Sequence, residues 1–461
     1  MLIDERRCAP FCLPADLKDL GEVSFAPSGT LPASPLASLF PKSSTFTPQV
    51  LIKKPARLAP LQIGLLFSGG PASGGHNVAC GLFDALAPGS SLIGFLGGPQ
   101  GLIDNKRKAL SKNELDLFRN TGGFDLLGTG RTKIETAEQI DRVAHHLKDL
   151  DGLLIVGGDD SQTNAAHLAE KLNTPILGVP KTIDGDLRGP EIELSFGFDT
   201  AATTYSELIG NLGCDALSDK KYWHIVKLMG RSASHLTLEC ALRTRPNFTL
   251  IAEERKSLSA WVDELASLIA KRSYGLVVFP EGLLEFVSDL SSCPLPFLNQ
   301  LQEGTDPHGN LPLSQIKTEE LLIAMVKERG VSFKPVPHFY GYEGRSAFPT
   351  PFDAHYGYAL GRLAAIAFRD RLTGQLLTLQ NLKGRVEEWV PKAVPLYSLL
   401  HFEERKGIKK PVIAKTVVSL KSPSYRTLAA DRSKWAVADH YLNPGPCQFS
   451  SLERRPFTLD R

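Results

Sequence analysis

The sequence predicts an α/β protein with parallel sheets in doubly wound order. Short apolar runs such as Leu153-Leu154-Ile155-Val156 and Pro175-Ile176-Leu177-Gly178-Val179 read as buried parallel strands. They alternate with helical patterns of roughly 8 to 15 residues, the signature of βαβ units. Both runs end in turns rich in glycine and aspartate, Gly157-Gly158-Asp159-Asp160-Ser161 and Pro180-Lys181-Thr182-Ile183-Asp184-Gly185-Asp186. Open α/β sheets bind ligands at that carboxyl edge.

Residues 1–60 are rich in Pro and Ser and read as an extension that wraps the body. The first βα unit is the strand Ile63–Phe67, the turn Ser68-Gly69-Gly70-Pro71-Ala72-Ser73-Gly74-Gly75-His76-Asn77, and a helix through about Ala87. A strand near Leu92–Leu96 ends in Gly97-Gly98-Pro99-Gln100-Gly101, and 134–150 is helical with Ile140, Val143, Ala144 and Leu147 on one face. A helix at 199–212, a strand at 223–228, a helix at 232–242 and a strand at 248–251 follow. Then come a helix at 258–270 and a strand at 275–279. The pattern turns irregular from 283 to 330, with a helix expected over 313–327; another is expected over 352–371, and the last stretch holds no clear motif. The expected organisation is an extension at 1–60, one α/β domain at 61–200 completed by C-terminal segments, and a second at 201–350. The second domain carries a helical insertion near 283–330, and helices and a tail occupy 351–461.

A chain of 461 residues can hold two or three domains with full cores. The formal net charge of +2 gives no reason to invoke nucleic acid or a membrane surface. Seven cysteines are scattered without zinc spacing, which fits a reduced, cytoplasmic compartment. The charged start Asp4-Glu5-Arg6-Arg7 lacks the apolar core of a signal peptide, and no window approaches the roughly 18 uninterrupted apolar residues of a membrane span.

The strand-end turns suit phosphoryl transfer. Ser68-Gly69-Gly70 offers backbone amides to a phosphate ahead of a helix, although Gly pairs also end strands for structural reasons. Arg131, behind Gly128-Thr129-Gly130, can grip a terminal phosphoryl through its planar fork. Asp159 can hold Mg²⁺ on a polyphosphate, directly or through water; a mere helix cap would use only one of the two adjacent acids. A hydroxyl attacking a phosphoryl needs a carboxylate to take its proton and cations to balance the developing charge. Asp184 is the expected base, Lys181 the cation and Thr182 a hydroxyl on substrate or phosphate, while Asp186 could orient the lysine or the metal. Met229-Gly230-Arg231 closes the strand at 223–228, and Glu281 closes the next, where an acid can accept sugar hydroxyls. Gly341-Tyr342-Glu343-Gly344-Arg345 adds an arginine and a phenol.

In this order the motifs closely resemble the pyrophosphate-dependent branch of the phosphofructokinase family, from about residue 61 to about 390. The matching segments are SGGPASGGHN at 68–77, GGPQGL at 97–102, GTGR at 128–131, GGDDS at 157–161 and PKTIDGD at 180–186. KKYWHIVKLMGRSASH at 220–235, PEGLLEF at 280–286 and GYEGRSAFPTPFDAHYGYALG at 341–361 complete the set. The resemblance implies two Rossmann-like domains and Mg²⁺-dependent transfer of a phosphoryl group to the 1-hydroxyl of fructose 6-phosphate. By motif position Asp184 matches the proton acceptor, Asp159 the magnesium-site acid, and Gly70 and Arg131 the donor contacts. Thr182, Asp184, Met229, Gly230, Arg231 and Glu281 match sugar contacts, and Tyr342 and Arg345 the sugar-phosphate end. Residues at the Lys221-Tyr222 position reach a partner's substrate, which implies a homodimer.

The same resemblance bears on the donor. ATP-using members carry glycine where this chain has Asp160 and where it has Lys181, and often an aromatic where it has Leu96. A carboxylate at 160 fills the space of a nucleotide α-phosphate and repels it. At about 4 Å and an effective dielectric near 20, each like-charge pair costs on the order of 4 kcal/mol before screening. All three positions point to pyrophosphate; the alternatives are an ATP-dependent enzyme and a catalytically silent subunit of the same fold. Segments 255–275 and 286–338 look shorter than in long pyrophosphate enzymes, and the part after 390 resembles the family poorly.

Overall fold

The computed structural model describes residues 2–32, 34–290, 293, 297, 316–405, 408–446 and 459. Fifteen strands are labelled in chain order: β1 (Val23–Pro27), β2 (Gln49–Lys53), β3 (Gln62–Phe67), β4 (Ser91–Phe95), β5 (Arg107–Ala109), β6 (Gly152–Gly157), β7 (Ile176–Pro180) and β8 (Trp223–Leu228). After these come β9 (Phe248–Thr249), β10 (Gly275–Pro280), β11 (Pro335–Tyr340), β12 (Gln375–Gln380), β13 (Val390–Pro395), β14 (Leu400–Arg405) and β15 (Ile408–Ile413).

Nine strands form one sheet in the order β1-β2-β13-β12-β7-β6-β3-β4-β5. Its centre, β12-β7-β6-β3-β4, is parallel, and the outer strands pair antiparallel. Every residue of β6 and β7 is buried, which is why these strands read as unbroken apolar runs. Alternate side chains serve opposite faces. Leu65, Phe67, Leu154 and Val156 pack with Val78, Leu82, Leu360 and Leu363 of the helices Gly75–Ala85 and Pro351–Arg369. Leu66, Leu153 and Ile155 face Val143, Leu147, Ala165 and Leu168 of the helices Ala137–His146 and Asp159–Lys171.

The second sheet, β11-β8-β10-β9, is wholly parallel. Ile225, Val277 and Phe279 face Trp261 and Leu265 of the helix Leu258–Ile269, with Leu321 and Met325 of Thr318–Glu328. Val226, Leu228 and Val278 face Ile209 and Leu236, from the helices Phe198–Asp219 and His235–Thr244, in the same core as the first sheet. One continuous apolar mass therefore holds the two sheets together.

Several elements depart from expectation. The Pro- and Ser-rich start contributes β1 and β2 to the large sheet, with Phe25 N donating to Asp370 Oδ2 at 2.7 Å. Both are only partly buried at this end of the sheet, so they leave no long hydrophobic run. The chain after 351 holds β12–β15 as well as the helices Pro351–Arg369 and Pro423–Val437. The helix expected over 313–327 starts at Thr318 in the described residues, and 313–315 lie outside them. Within the described residues no helix is long and apolar enough to cross a membrane.

Candidate active site

Because β3, β6 and β7 are adjacent and parallel, the turns after them meet at one sheet edge. After β3, Gly69 has φ 84°, a left-handed backbone that glycine takes without strain. Its N–H donates to Gly130 O at 2.9 Å, and Thr129 Oγ1 donates to its carbonyl at 2.7 Å, so the loop bearing Arg131 is fixed beside this turn. After β6, Gly158 is the N-cap of the helix Asp159–Lys171 and makes no side-chain cap bond. Asp159 and Asp160 are thus not caps; they occupy the first turn, where the helix dipole favours negative charge. Ser161 Oγ donates to Ser68 Oγ at 2.8 Å and ties this turn to the first. After β7, Lys181 N donates to Gly157 O at 3.0 Å, and the Lys181 ammonium comes to lie beside Gly69.

The second sheet presents its carboxyl edge to the first. Glu281 N donates to Leu228 O at 2.8 Å and Gly282 N to Gly230 O at 3.2 Å, which packs the two strand-end turns together. Gly341 O accepts from Tyr205 Oη at 2.6 Å and anchors the turn that carries Tyr342 and Arg345. The two edges enclose a cavity of about 450 Å³.

Most of the sequence-predicted site residues line this cavity: Ser68, Gly69, Gly70, Arg131, Asp159, Asp160, Lys181, Thr182, Asp184, Asp186, Met229, Arg231, Glu281, Tyr342 and Arg345. Gly230 sits behind it, within the Met229–Arg231 turn. Lys221 and Tyr222 do not reach it. They precede β8, whereas Met229 follows it, so about 20 Å of extended strand separates them. Lys221 is fully exposed, its ammonium 4.9 Å from the ring centre of Tyr222. Leu96 also lies outside the lining. The guanidinium of Arg345, expected at the sugar-phosphate end, also approaches Gly70 on the donor turn.

The cavity sets acids against cations. Burial raises Asp184, opposed by Lys415 and Lys181, and its carboxylate accepts from the Arg231 backbone across the two edges. Burial, then Asp184 and Asp159, push Asp186 up to about 7. Burial and Asp184 push Glu281 up to about 7 as well, and among the described residues its Oε2 finds no hydrogen-bond partner. Burial, then Arg345, bring Lys181 down to about 8 despite Asp184 and Asp159. Thr182 Oγ1 donates to Asp186 Oδ1 and accepts from Asp184 N, both at 3.1 Å, which fixes the order of the two acids.

A model described as Phosphofructokinase matches residues 62–367. The chain belongs to the phosphofructokinase family. It is 43% identical, over 84% of its length and 80% of the relative's, to a pyrophosphate–fructose 6-phosphate 1-phosphotransferase of Treponema pallidum. It is 40% identical to the beta 1 subunit of the Arabidopsis thaliana protein of that name, over 95% of this chain and 89% of the relative. A solved pyrophosphate-dependent phosphofructokinase from Nitrosospira multiformis shares the fold at TM-score 0.60 and 17% identity, covering 85% of this chain and 96% of its own.

Ser232, read from the sequence as an anion-friendly helix start, lines the cavity of this phosphofructokinase too, although the helix itself begins at His235. Two cavity residues escaped sequence reasoning: Lys133, whose Nζ stands 3.4 Å from Asp160 Oδ1, and Lys415. Lys133 lies two positions after Arg131, just beyond the GTGR segment, so the second cation of that loop was open to reading. Lys415, 3.4 Å from Asp159 Oδ2, comes from beyond the matched region and carries no motif that could have flagged it.

Proposed function

We propose that this phosphofructokinase transfers a phosphoryl group from pyrophosphate to the 1-hydroxyl of fructose 6-phosphate, giving fructose 1,6-bisphosphate and phosphate. The observation that carries this conclusion is that Asp160 and buried Lys181 line the same cavity. A carboxylate there excludes a nucleotide α-phosphate, and the lysine supports a leaving phosphate that has no nucleotide. Residues 61–200 would form the donor side and 201–350 the sugar side.

In this mechanism Gly69 and Gly70 present backbone to the donor, and Arg131 and Lys181 carry the charge that builds on the transferred group. Glu281 and the Met229–Arg231 turn hold the sugar, with the free Glu281 Oε2 accepting a hydroxyl. Asp184 takes the proton of the 1-hydroxyl, and Thr182 keeps it oriented through its backbone. Most of the rate would come from alignment and charge placement.

Magnesium fits this donor set. Burial, then the charges of Asp184 and Asp159, raise Asp186 to about 7, so negative charge gathers here that a hard divalent cation would relieve. Among the described residues no cluster of three His, Cys, Asp or Glu side chains could hold a metal alone. Mg²⁺ would be held by Asp159, with Asp186 behind it, and mostly by substrate phosphates. Bound there, it would neutralise pyrophosphate charge.

A cytoplasmic homodimer completes the proposal. Lys221 and Tyr222, one strand-length from their own cavity, would serve the sugar phosphate in a partner's site. The functional test is direct: purified protein, fructose 6-phosphate and Mg²⁺, assayed with pyrophosphate and separately with ATP. Turnover with pyrophosphate and little with ATP is expected. The reverse preference would favour the ATP enzyme, and no turnover with either the silent subunit.

A further inference from the structure

The C-terminal segment after β15 crosses the cavity from one sheet edge to the other. Ile413 N donates to Thr163 Oγ1 at 3.1 Å on the helix Asp159–Lys171. Thr416 N and Oγ1 both donate to Asp186 O, at 2.7 and 3.1 Å. On the far side Thr416 O contacts His235 Nε2 at 3.2 Å, and Val418 N donates to Glu253 Oε1 at 2.8 Å. Backbone hydrogen bonds, the Thr416 hydroxyl and the buried side chains of Ile413 and Val418 therefore secure this strap to both domains. The side chain of Lys415 is not needed for anchorage.

That side chain points at the site. Its ammonium lies 3.3 Å from Ser232 Oγ and 3.4 Å from Asp159 Oδ2, both long contacts for a group with three donors. It lines the cavity with about a third of its side chain exposed there. Burial works against its charge, but Asp159, Asp186, Asp160 and Asp184 more than offset this and hold it above the ordinary lysine value. The cations Lys181, Arg131 and Arg345 gather at Gly69 and Gly70. Lys415 stands apart from them, at the acid side of the donor edge.

We propose that Lys415 is a donor-binding residue, whose ammonium holds phosphate oxygens of the polyphosphate donor beside Asp159. The inference rests on the pyrophosphate reading given above. A phosphate oxygen entering between Lys415 and Asp159 replaces a loose ion pair with a short charge-assisted hydrogen bond. The strap thereby makes donor binding depend on residues outside the matched family region.

Calorimetric titration with magnesium methylenediphosphonate, a diphosphate that cannot be cleaved by hydrolysis, tests this without turnover. Lys415→Gln should weaken its binding by about 10- to 100-fold, the usual worth of a hydrogen bond to a charged group. Lys415→Arg should recover part of the loss, and fructose 6-phosphate binding should be unchanged in both. In the wild-type protein the same diphosphate should slow amine acylation of Lys415 and leave exposed Lys421 unaffected. Wild-type diphosphate affinity in Lys415→Gln, equal weakening of both ligands, or unprotected Lys415 would each overturn the inference while leaving the pyrophosphate reading intact. A wild-type protein that binds the sugar but no diphosphate would overturn both.

Discussion

The guanidinium of Arg345 lies against the backbone of Gly70, so close that a Cβ added to Gly70 would sit 2.6 Å from Nη2. Gly70 belongs to the turn after β3 and Arg345 to the turn after β11, so one side chain bridges the carboxyl edges of both sheets. The residue expected at the sugar phosphate thus also reaches the donor turn.

Gly70→Ala would put a methyl group on this contact. The clash is with the mobile end of a long side chain, so stability should change by no more than about 0.5 kcal/mol. Catalysis should suffer more: displacing the bridging guanidinium and crowding the donor phosphate should lower kcat/KM for pyrophosphate by about 100-fold. Thermal unfolding and steady-state kinetics measure the two effects, and wild-type kinetics would show the close approach to be dispensable.

Asp184→Ala and Asp184→Asn should lower turnover by roughly 10²- to 10⁴-fold, the range for losing a positioned base. Fructose 6-phosphate affinity should change far less. Either variant turning over at close to the wild-type rate would exclude Asp184 as the proton acceptor.

Asp160→Gly should raise ATP use from near nothing by removing the carboxylate that crowds an α-phosphate. Lys181→Gly should mainly damage pyrophosphate use. The two positions lie in one cavity and need not act additively. Measured kcat/KM for both donors in the single and double variants decides. If ATP use stays unchanged in Asp160→Gly, alone and combined with Lys181→Gly, Asp160 is not the selectivity filter.

The pH profile should be bell-shaped. Asp184 works only when deprotonated, and burial raises it above the ordinary carboxylate range. Activity therefore rises with pH along an acid limb displaced upward from that of a free carboxylate. Lys181 works only when charged and loses its proton as pH rises through about 8, so activity falls above that point. Plots of kcat/KM against pH for the wild type and Lys181→Gly check this. An alkaline limb that survives in Lys181→Gly would assign it to another group.

Mixing Asp184→Ala with Lys221→Ala should restore some activity if Lys221 and Tyr222 serve a partner's cavity, because some hybrid sites then carry neither lesion. Demonstrated hybrids without activity would end the shared-site proposal.

The turns that carry chemistry were legible in the sequence because each is a contiguous segment at the end of an apolar strand. Glycine at 69, acids at 159 and 160, and Lys181 through Asp186 announce an anion site through local rules of backbone freedom and charge. The buried runs of β6 and β7 likewise fixed the fold class, since a strand covered on both faces must be apolar throughout. β1 and β2 escaped because strands at the half-covered end of a sheet can be short and mixed in composition.

What lay beyond the sequence is every relation between segments far apart in it. The contact of Arg345 with Gly70, the Arg231 backbone on Asp184, and Lys415 beside Asp159 each join residues more than 45 positions apart. The strap bearing Lys415 is held by hydrogen bonds at Thr416 and Val418 and by single buried apolar side chains, a pattern common to many loops, so no motif marks it. Residue type and spacing determined which groups could do chemistry. Only the packing of the two sheets through one core decided which of them share a cavity, because through-space distance is set by the whole fold and not by the local chain.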